Sequence, residues 1–428
     1  MLSEKICKTY EAILRDELRA AMGCTEPIAI AYASAILRDA LGGMPQSVKI
    51  SLSGNIIKNV KSVIVPATQG MRGIESAVAA GAVSGAYEKK LELLSVLNDS
   101  DVERIRQYKD SCDIVIEELN SPCTFDLSIS GSYNGASGSV RISENHTNVV
   151  LVESNGVNVT DKYVISDTDS REGADSADRS LLNVRDIVEF AEKADITYIR
   201  PYLERQIEMN MAICEEGLRN DYGASIGKLL YNGGDTDTVG LMKAYAAAGS
   251  DARMSGCELP VCIISGSGNQ GICASVPVIV YAREKGCDGE SLLRALIVSD
   301  LLTAHQKTGI GCLSAYCGAI SAGCGAGAGI CYLRGGRYYE IAHSLVNSIA
   351  ILSGTICDGA KPSCAAKIAM AVEAGVMGCE MAFSGRQFYG GDGIVKKGVE
   401  NTIKNVGLLA RDGMSETDKE IIRIMLGN

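Results

Sequence analysis

The chain has 428 residues, 46% hydrophobic and 22% charged, enough for one large domain or two to three ordinary ones with a sizeable core. A formal net charge of −11 and no arginine-rich stripe argue against nucleic acid or an anionic membrane surface as partner. There is no Trp and there are only four Phe, so aromatic platforms for stacking bases are scarce.

The first 22 residues, MLSEKICKTYEAILRDELRAAM, mix charges through their apolar positions and lack the uninterrupted apolar core of a signal peptide. The cytoplasm is the expected compartment. Ile6, Tyr10, Ile13, Leu14, Leu18 and Ala21 recur at helical spacing and predict a first helix that stops at Gly23. CTEPIAIAYASAILRDAL predicts a second, with Thr25 as cap and Glu26 and Pro27 in its first turn. Residues 1–44 are expected to form N-terminal helices packed on a catalytic domain.

The pattern then changes. Residues 47–65, 114–116 and 124–153 alternate as strands, and 73–107 between them reads as helix. We expect a smaller α+β unit over 45–165. The polar stretch 166–182 reads as an exposed connection, and 166–428 as an α-helical domain with glycine-punctuated turns. The fold class is therefore α+β, a large helical domain with a smaller α+β unit inserted after the N-terminal helices. Thr308 to Leu333 carries no charge over 26 residues, long enough to span a bilayer. Its Gly, Ala, Ser and Cys gain little from lipid, so a tightly packed buried helix is the better account.

Eleven of the 16 cysteines fall between Cys257 and Cys379. In a reducing compartment such density favours metal or redox chemistry over a disulfide framework, with many thiols serving only as small buried hydrophobes. Cys357 and Cys364 bracket an Asp-Gly and Pro loop, and Cys364 opens a helix whose N-terminal amides favour a thiolate. Cys317 lies among small residues that leave room for a bulky inorganic body. Three thiols suit an iron–sulfur cluster or zinc; the spacing matches neither a C-x2-C pair nor a ferredoxin run, and leaves both open. Cys24 sits between two helices, where its thiol is either a base, nucleophile or ligand, or inert. SGSGNQG, residues 265–271, precedes a helix and suits phosphate or carboxylate, although a plain tight turn reads the same. His305 and Lys307 could meet a carboxylate or merely end a helix. With only His146, His305 and His343 available, a histidine-rich metal site is poorly supported.

Taken together, GCTEP (23–27), SGSGNQG (265–271), LSAYCG (313–318) and CDGAKPSCAAK (357–367) resemble the L-cysteine desulfidase family, which is related to the α chain of iron–sulfur L-serine dehydratases. The resemblance implies a lyase with one [4Fe–4S] cluster per chain, converting L-cysteine to pyruvate, ammonia and sulfide. It implies Cys317, Cys357 and Cys364 as cluster ligands, with Cys312 or Cys324 as substitutes for Cys317, and Cys24 as proton acceptor. Candidate substrate-binding residues are Ser265, Ser267, Asn269 and Gln270, with the loop amides and Asn269 on the substrate carboxylate, and Asn55 of the smaller unit closing over the site. The last cysteine is Cys379, whereas the serine dehydratase branch is expected to carry a C-terminal one, which favours the desulfidase branch. The implied partner is a small amino acid, with no nucleic acid or membrane and with room for a homo-oligomer. The alternatives are an iron–sulfur L-serine dehydratase, a pyridoxal-phosphate lyase, for which no Schiff-base lysine stands in a suitable context, and a non-enzymatic iron–sulfur or thiol sensor.

Overall fold

The computed structural model describes residues 2–23, 25–121, 123, 125–164, 177–311 and 314–426. In chain order the N-terminal part contains α1 (Glu4–Glu17), β1 (Ala20–Met22), α2 (Thr25–Leu41), β2 (Ser47–Leu52), α3 (Gly54–Val60), α4 (Gly73–Ser84), α5 (Asp99–Ser111), β3 (Asp113–Glu118), β4 (Asp126–Tyr133), β5 (Ala136–Ser143), β6 (Val149–Ser154) and β7 (Val157–Asn158). The remainder is helical apart from one short strand. It comprises α6 (Val184–Lys193), α7 (Arg200–Arg219), α8 (Ile226–Leu230), α9 (Thr238–Met254), β8 (Pro260–Cys262), α10 (Gly268–Lys285), α11 (Gly289–Ile310), α12 (Gly318–Leu333), α13 (Tyr338–Leu352), α14 (Cys364–Phe383), α15 (Val399–Leu408) and α16 (Ser415–Leu426). The fold is α+β with a large helical part. The expected connection 166–182 lies largely outside the described residues.

Strands β2 to β7 form one sheet in the order β3-β2-β4-β5-β6-β7, with β2 and β3 parallel and every other pair antiparallel. Only the first part of the expected strand 47–65 is strand. After Leu52 the chain turns into α3, because Ile56, Ile57 and Val60 reach the core at helical rather than alternating spacing. Helix α2 corrects a second expectation. It is buried from Thr25 to Leu37 and belongs to the core of the sheet, sharing it with α4 and strands β2, β4, β5 and β6. An alanine-rich helix with no polar face must be covered all round. Close approach makes that possible, since a Cβ at Gly81 of α4 would collide with the Ala31 backbone. Helix α1, in contrast, joins the helical core.

The small-residue stretch is the centre of that core. Every residue of α12 from Ala319 to Cys331 is buried, among α10, α11, α13 and α14. A Cβ at Gly327 would strike the Gly375 backbone of α14, so these helices pack backbone to backbone. Among the described residues no helix is long and apolar enough to cross a membrane.

Strands β1 and β8 pair within the helical core. Ala20, Ala21 and Met22 pair antiparallel with Cys262, Val261 and Pro260, and the Ile263 amide donates to the Arg19 carbonyl at 2.8 Å. This short ladder carries the start of α2 to the SGSGNQG loop, more than two hundred residues away in sequence.

Candidate functional site

The four motifs meet at one cavity. Its volume is about 100 Å³. Several helices present their N-termini to it, among them α10 with Ser267, Asn269 and Gln270, α12 with Cys317, Gly318 and Ala319, and α14 with Cys364. Unsatisfied amides and positive dipole ends make the chamber suitable for anions and thiolates. The first turn of α2 supplies Glu26, and α3 supplies Lys58 and Asn59.

Cys317, Cys357 and Cys364 all line this cavity. The segments holding the first two are paired: Tyr316 bridges Ile356, the Cys317 amide donates to the Thr355 carbonyl at 3.2 Å, and the Cys357 amide to the Ala315 carbonyl at 2.6 Å. Asp358 then staples the loop to the third cysteine. Its carboxylate accepts from Lys361 at 2.9 Å and from Lys367 of α14 at 2.6 Å. Burial alone would raise the Asp358 pKa, but these two hydrogen bonds outweigh it and hold the carboxyl at about 2. Gly359 has φ +97°, and a Cβ there would meet the Lys58 carbonyl at 2.5 Å, so the turn needs glycine for both dihedral and space.

Burial pushes the Cys317 thiol up to about 12, and the neighbouring Cys357 and Cys364 add to it. Burial also raises Cys364. Thiols buried like Cys317 and Cys364 are unfavourable as free thiolates and become favourable with a cation beside them. Among the described residues no three His, Cys, Asp or Glu side chains converge as a single metal ion requires. Three thiols lining one chamber are the kind of donor set that would hold an iron–sulfur cluster. Cys324 is buried in α12 inside the apolar core and is absent from the lining, which sets it apart from Cys317. Cys24 and Cys312 lie outside the described residues.

The SGSGNQG loop forms another part of the wall. Ser265, Ser267, Asn269 and Gln270 all line the cavity, and Ser265 Oγ, Asn269 Oδ1 and Gln270 Oε1 are buried without a hydrogen-bond partner. Ser265 adopts φ +49°, a left-handed conformation unusual for serine, and its amide donates to buried Glu17, which also pairs with Arg179. Gln270 packs on α12 so closely that a Cβ at Gly318 would meet its amide at 2.6 Å. Asn55 is placed differently. It lines a neighbouring cavity of about 590 Å³ beside Asn120 and Asp418, which meets the first only at Ser314.

Sequence reasoning passed over several side chains in this wall. Glu26 accepts from Asn59 at 2.9 Å, and buried Lys58 pairs with Asp418 of α16. His146 packs against Phe125 in a tilted arrangement at 4.6 Å between ring centres, and its Nε2 is buried without a partner. Burial lowers its pKa, and Arg253 adds to this against an opposing effect of Glu26. Arg253 is buried and lines the cavity as well, and so does buried Lys307, which the sequence had already offered to a carboxylate together with His305. His305 instead pairs with Glu400 at 2.7 Å. The only available signal was local: Glu26 stands inside GCTEP, and Arg253 ends a run of small residues.

Comparison with known proteins agrees with the motif set. Residues 88–423 match the family described as serine dehydratase alpha chain. A UPF0597 protein of Desulfitobacterium hafniense is 52% identical over 424 residues, covering 99% of this chain and 97% of the relative. A UPF0597 protein of Treponema denticola is 45% identical over 424 residues, 97% of each chain. One from Bacteroides fragilis is 36% identical over 432 residues, 99% of each.

Proposed function

Since the chain belongs to the serine dehydratase alpha chain family, we propose that it is an iron–sulfur lyase, an L-cysteine desulfidase that eliminates sulfide from L-cysteine to give pyruvate and ammonia. The observation that carries this reading is the gathering of Cys317, Cys357 and Cys364 on one cavity that is also lined by a loop with unpartnered polar atoms. These three thiolates would hold a [4Fe–4S] cluster. Such a cluster, when bound, supplies a Lewis-acidic iron without a protein ligand, well matched to a soft sulfur leaving group.

The chain's own residues supply the rest. Cys24 Sγ accepts the proton from the substrate Cα, as the residue next to the α2 turn that enters the site. The carbon–sulfur bond breaks with its electron pair on sulfur, and sulfide leaves. The remaining enamine tautomerises to an imine, and water hydrolyses it to pyruvate and ammonia. The enclosing helices limit the substrate to a small amino acid and restrict water around the proton transfer.

L-Serine is the second reading, favoured by the family description itself. The two reactions differ only in the leaving atom. Anaerobic reconstitution with iron and sulfide, followed by pyruvate and sulfide assays on both amino acids, decides between them. The desulfidase reading predicts a higher kcat/KM on L-cysteine. Preference for L-serine would overturn the substrate assignment, and no turnover of either would overturn the lyase.

A further inference from the structure

A buried arginine without a carboxylate stands in the wall of the cavity. Arg253, in the last turn of α9, is 4% exposed, and its Nε has no hydrogen-bond partner. No ion pair to it is formed among the described residues, whereas the other basic side chains that line the chamber include Lys58 paired with Asp418 and Lys367 paired with Asp358. A guanidinium desolvated without an anion is costly, so its retention in a cavity wall points to an anionic ligand. The SGSGNQG loop is shaped around it. A Cβ at Gly268 would collide with the Arg253 side chain, so this glycine makes room for the guanidinium stem at the mouth of α10.

Flanking that glycine, Asn269 and Gln270 turn buried acceptor oxygens without donors toward the same chamber. An amino-acid zwitterion offers what both groups lack: a planar carboxylate for a guanidinium fork, and ammonium hydrogens for carbonyl oxygens. We propose that Arg253 is the specificity-determining residue that binds the substrate α-carboxylate, while Asn269 Oδ1 and Gln270 Oε1 receive the α-ammonium. This rests on the reading of the chain as an amino-acid lyase, and it reverses the sequence expectation that Asn269 holds the carboxylate. The substrate side chain is then free to face Cys317, Cys357 and Cys364.

The test uses two truncated analogues on the reconstituted protein: 3-mercaptopropionate, which keeps the carboxylate and lacks the amine, and cysteamine, which does the reverse. Binding is followed by thermal shift, and iron is counted separately. Arg253→Gln should weaken 3-mercaptopropionate on the order of a hundredfold, leave cysteamine unchanged and keep wild-type iron content. Arg253→Lys, which keeps the charge without the fork, should recover part of the loss, and Asn269→Asp should alter cysteamine rather than 3-mercaptopropionate. Unchanged 3-mercaptopropionate binding in Arg253→Gln overturns the proposal. Loss of iron in that variant also overturns it, because Arg253 would then serve the thiolates. A wild-type protein without iron tells against the cluster alone, since the difference between the two analogues still reads the role of Arg253.

Discussion

The Thr25 hydroxyl donates to the Gly266 carbonyl at 3.0 Å, joining two motifs separated by 241 positions. Thr25 opens α2 and Gly266 lies at the tip of the SGSGNQG loop, so one hydrogen bond fixes the entry of α2 against that loop of the cavity wall. Thr25→Val keeps the shape and leaves the carbonyl unsatisfied. It should lower stability by about 1–2 kcal/mol in denaturant unfolding and raise KM, with iron content unchanged. An unchanged KM would mean that the loop holds its geometry without α2.

The loop between Cys357 and Cys364 is held by a carboxylate kept ionised. The folded Asp358 pKa of about 2 lies below its ordinary value of 3.8. The carboxylate therefore stabilises the fold above about pH 4, and that contribution disappears as pH falls toward about 2. Asp358 is 35% exposed as a side chain, so screening reduces the effect to roughly 1 kcal/mol. Asp358→Asn should be less stable than wild type by that amount at neutral pH, and the two unfolding curves should converge on acidification. Curves that stay parallel would contradict the staple.

His146 behaves in the same sense for a different reason. Burial depresses its pKa, so the unfolded chain binds a proton below about pH 6.5 that the folded chain refuses. Stability should fall as pH drops through that point, by up to ~1.4 kcal/mol per pH unit. His146→Gln should lose part of this slope. Urea midpoints for both proteins across the acidic range give the comparison, and identical slopes would show that His146 takes up a proton in the fold.

Lys58 and Asp418 form a buried ion pair in the wall between the two cavities, with side chains 1% and 12% exposed. Asp418→Leu removes one partner and leaves a buried ammonium, which should cost about 3–5 kcal/mol. Lys58→Met combined with Asp418→Leu should cost far less, because neither charge is left alone. Additive losses in this double-mutant cycle would show that the pair is not coupled.

Much of this was legible in the sequence because it is local. The amphipathic spacing of α1, the alternation of β4 to β6 and the small-residue content of α12 dictate their own conformations. The motif set grouped Cys317, Cys357, Cys364 and the loop 265–270, and these residues line one cavity. What escaped depends on contacts distant in sequence. Nothing near His146 announces Phe125 as its neighbour, and nothing near Arg253 announces that Gly268 is shaped around it. Helix α2 was misplaced because an all-apolar helix carries no stripe to say which core it enters. Asn55 was expected over the site from within the strand stretch 47–65, whereas Ile56 and Ile57 draw it into α3, where it lines the adjacent cavity.

The central claim is that three thiols hold one iron–sulfur cluster. It is tested most directly by counting iron and acid-labile sulfide after anaerobic reconstitution of the wild type and of Cys317→Ser, Cys357→Ser, Cys364→Ser and Cys324→Ser. The account predicts iron and sulfide in equal amounts in the wild type and in Cys324→Ser, and loss of most of both in the other three. A wild type without iron, or three lining variants that keep it, would contradict the account.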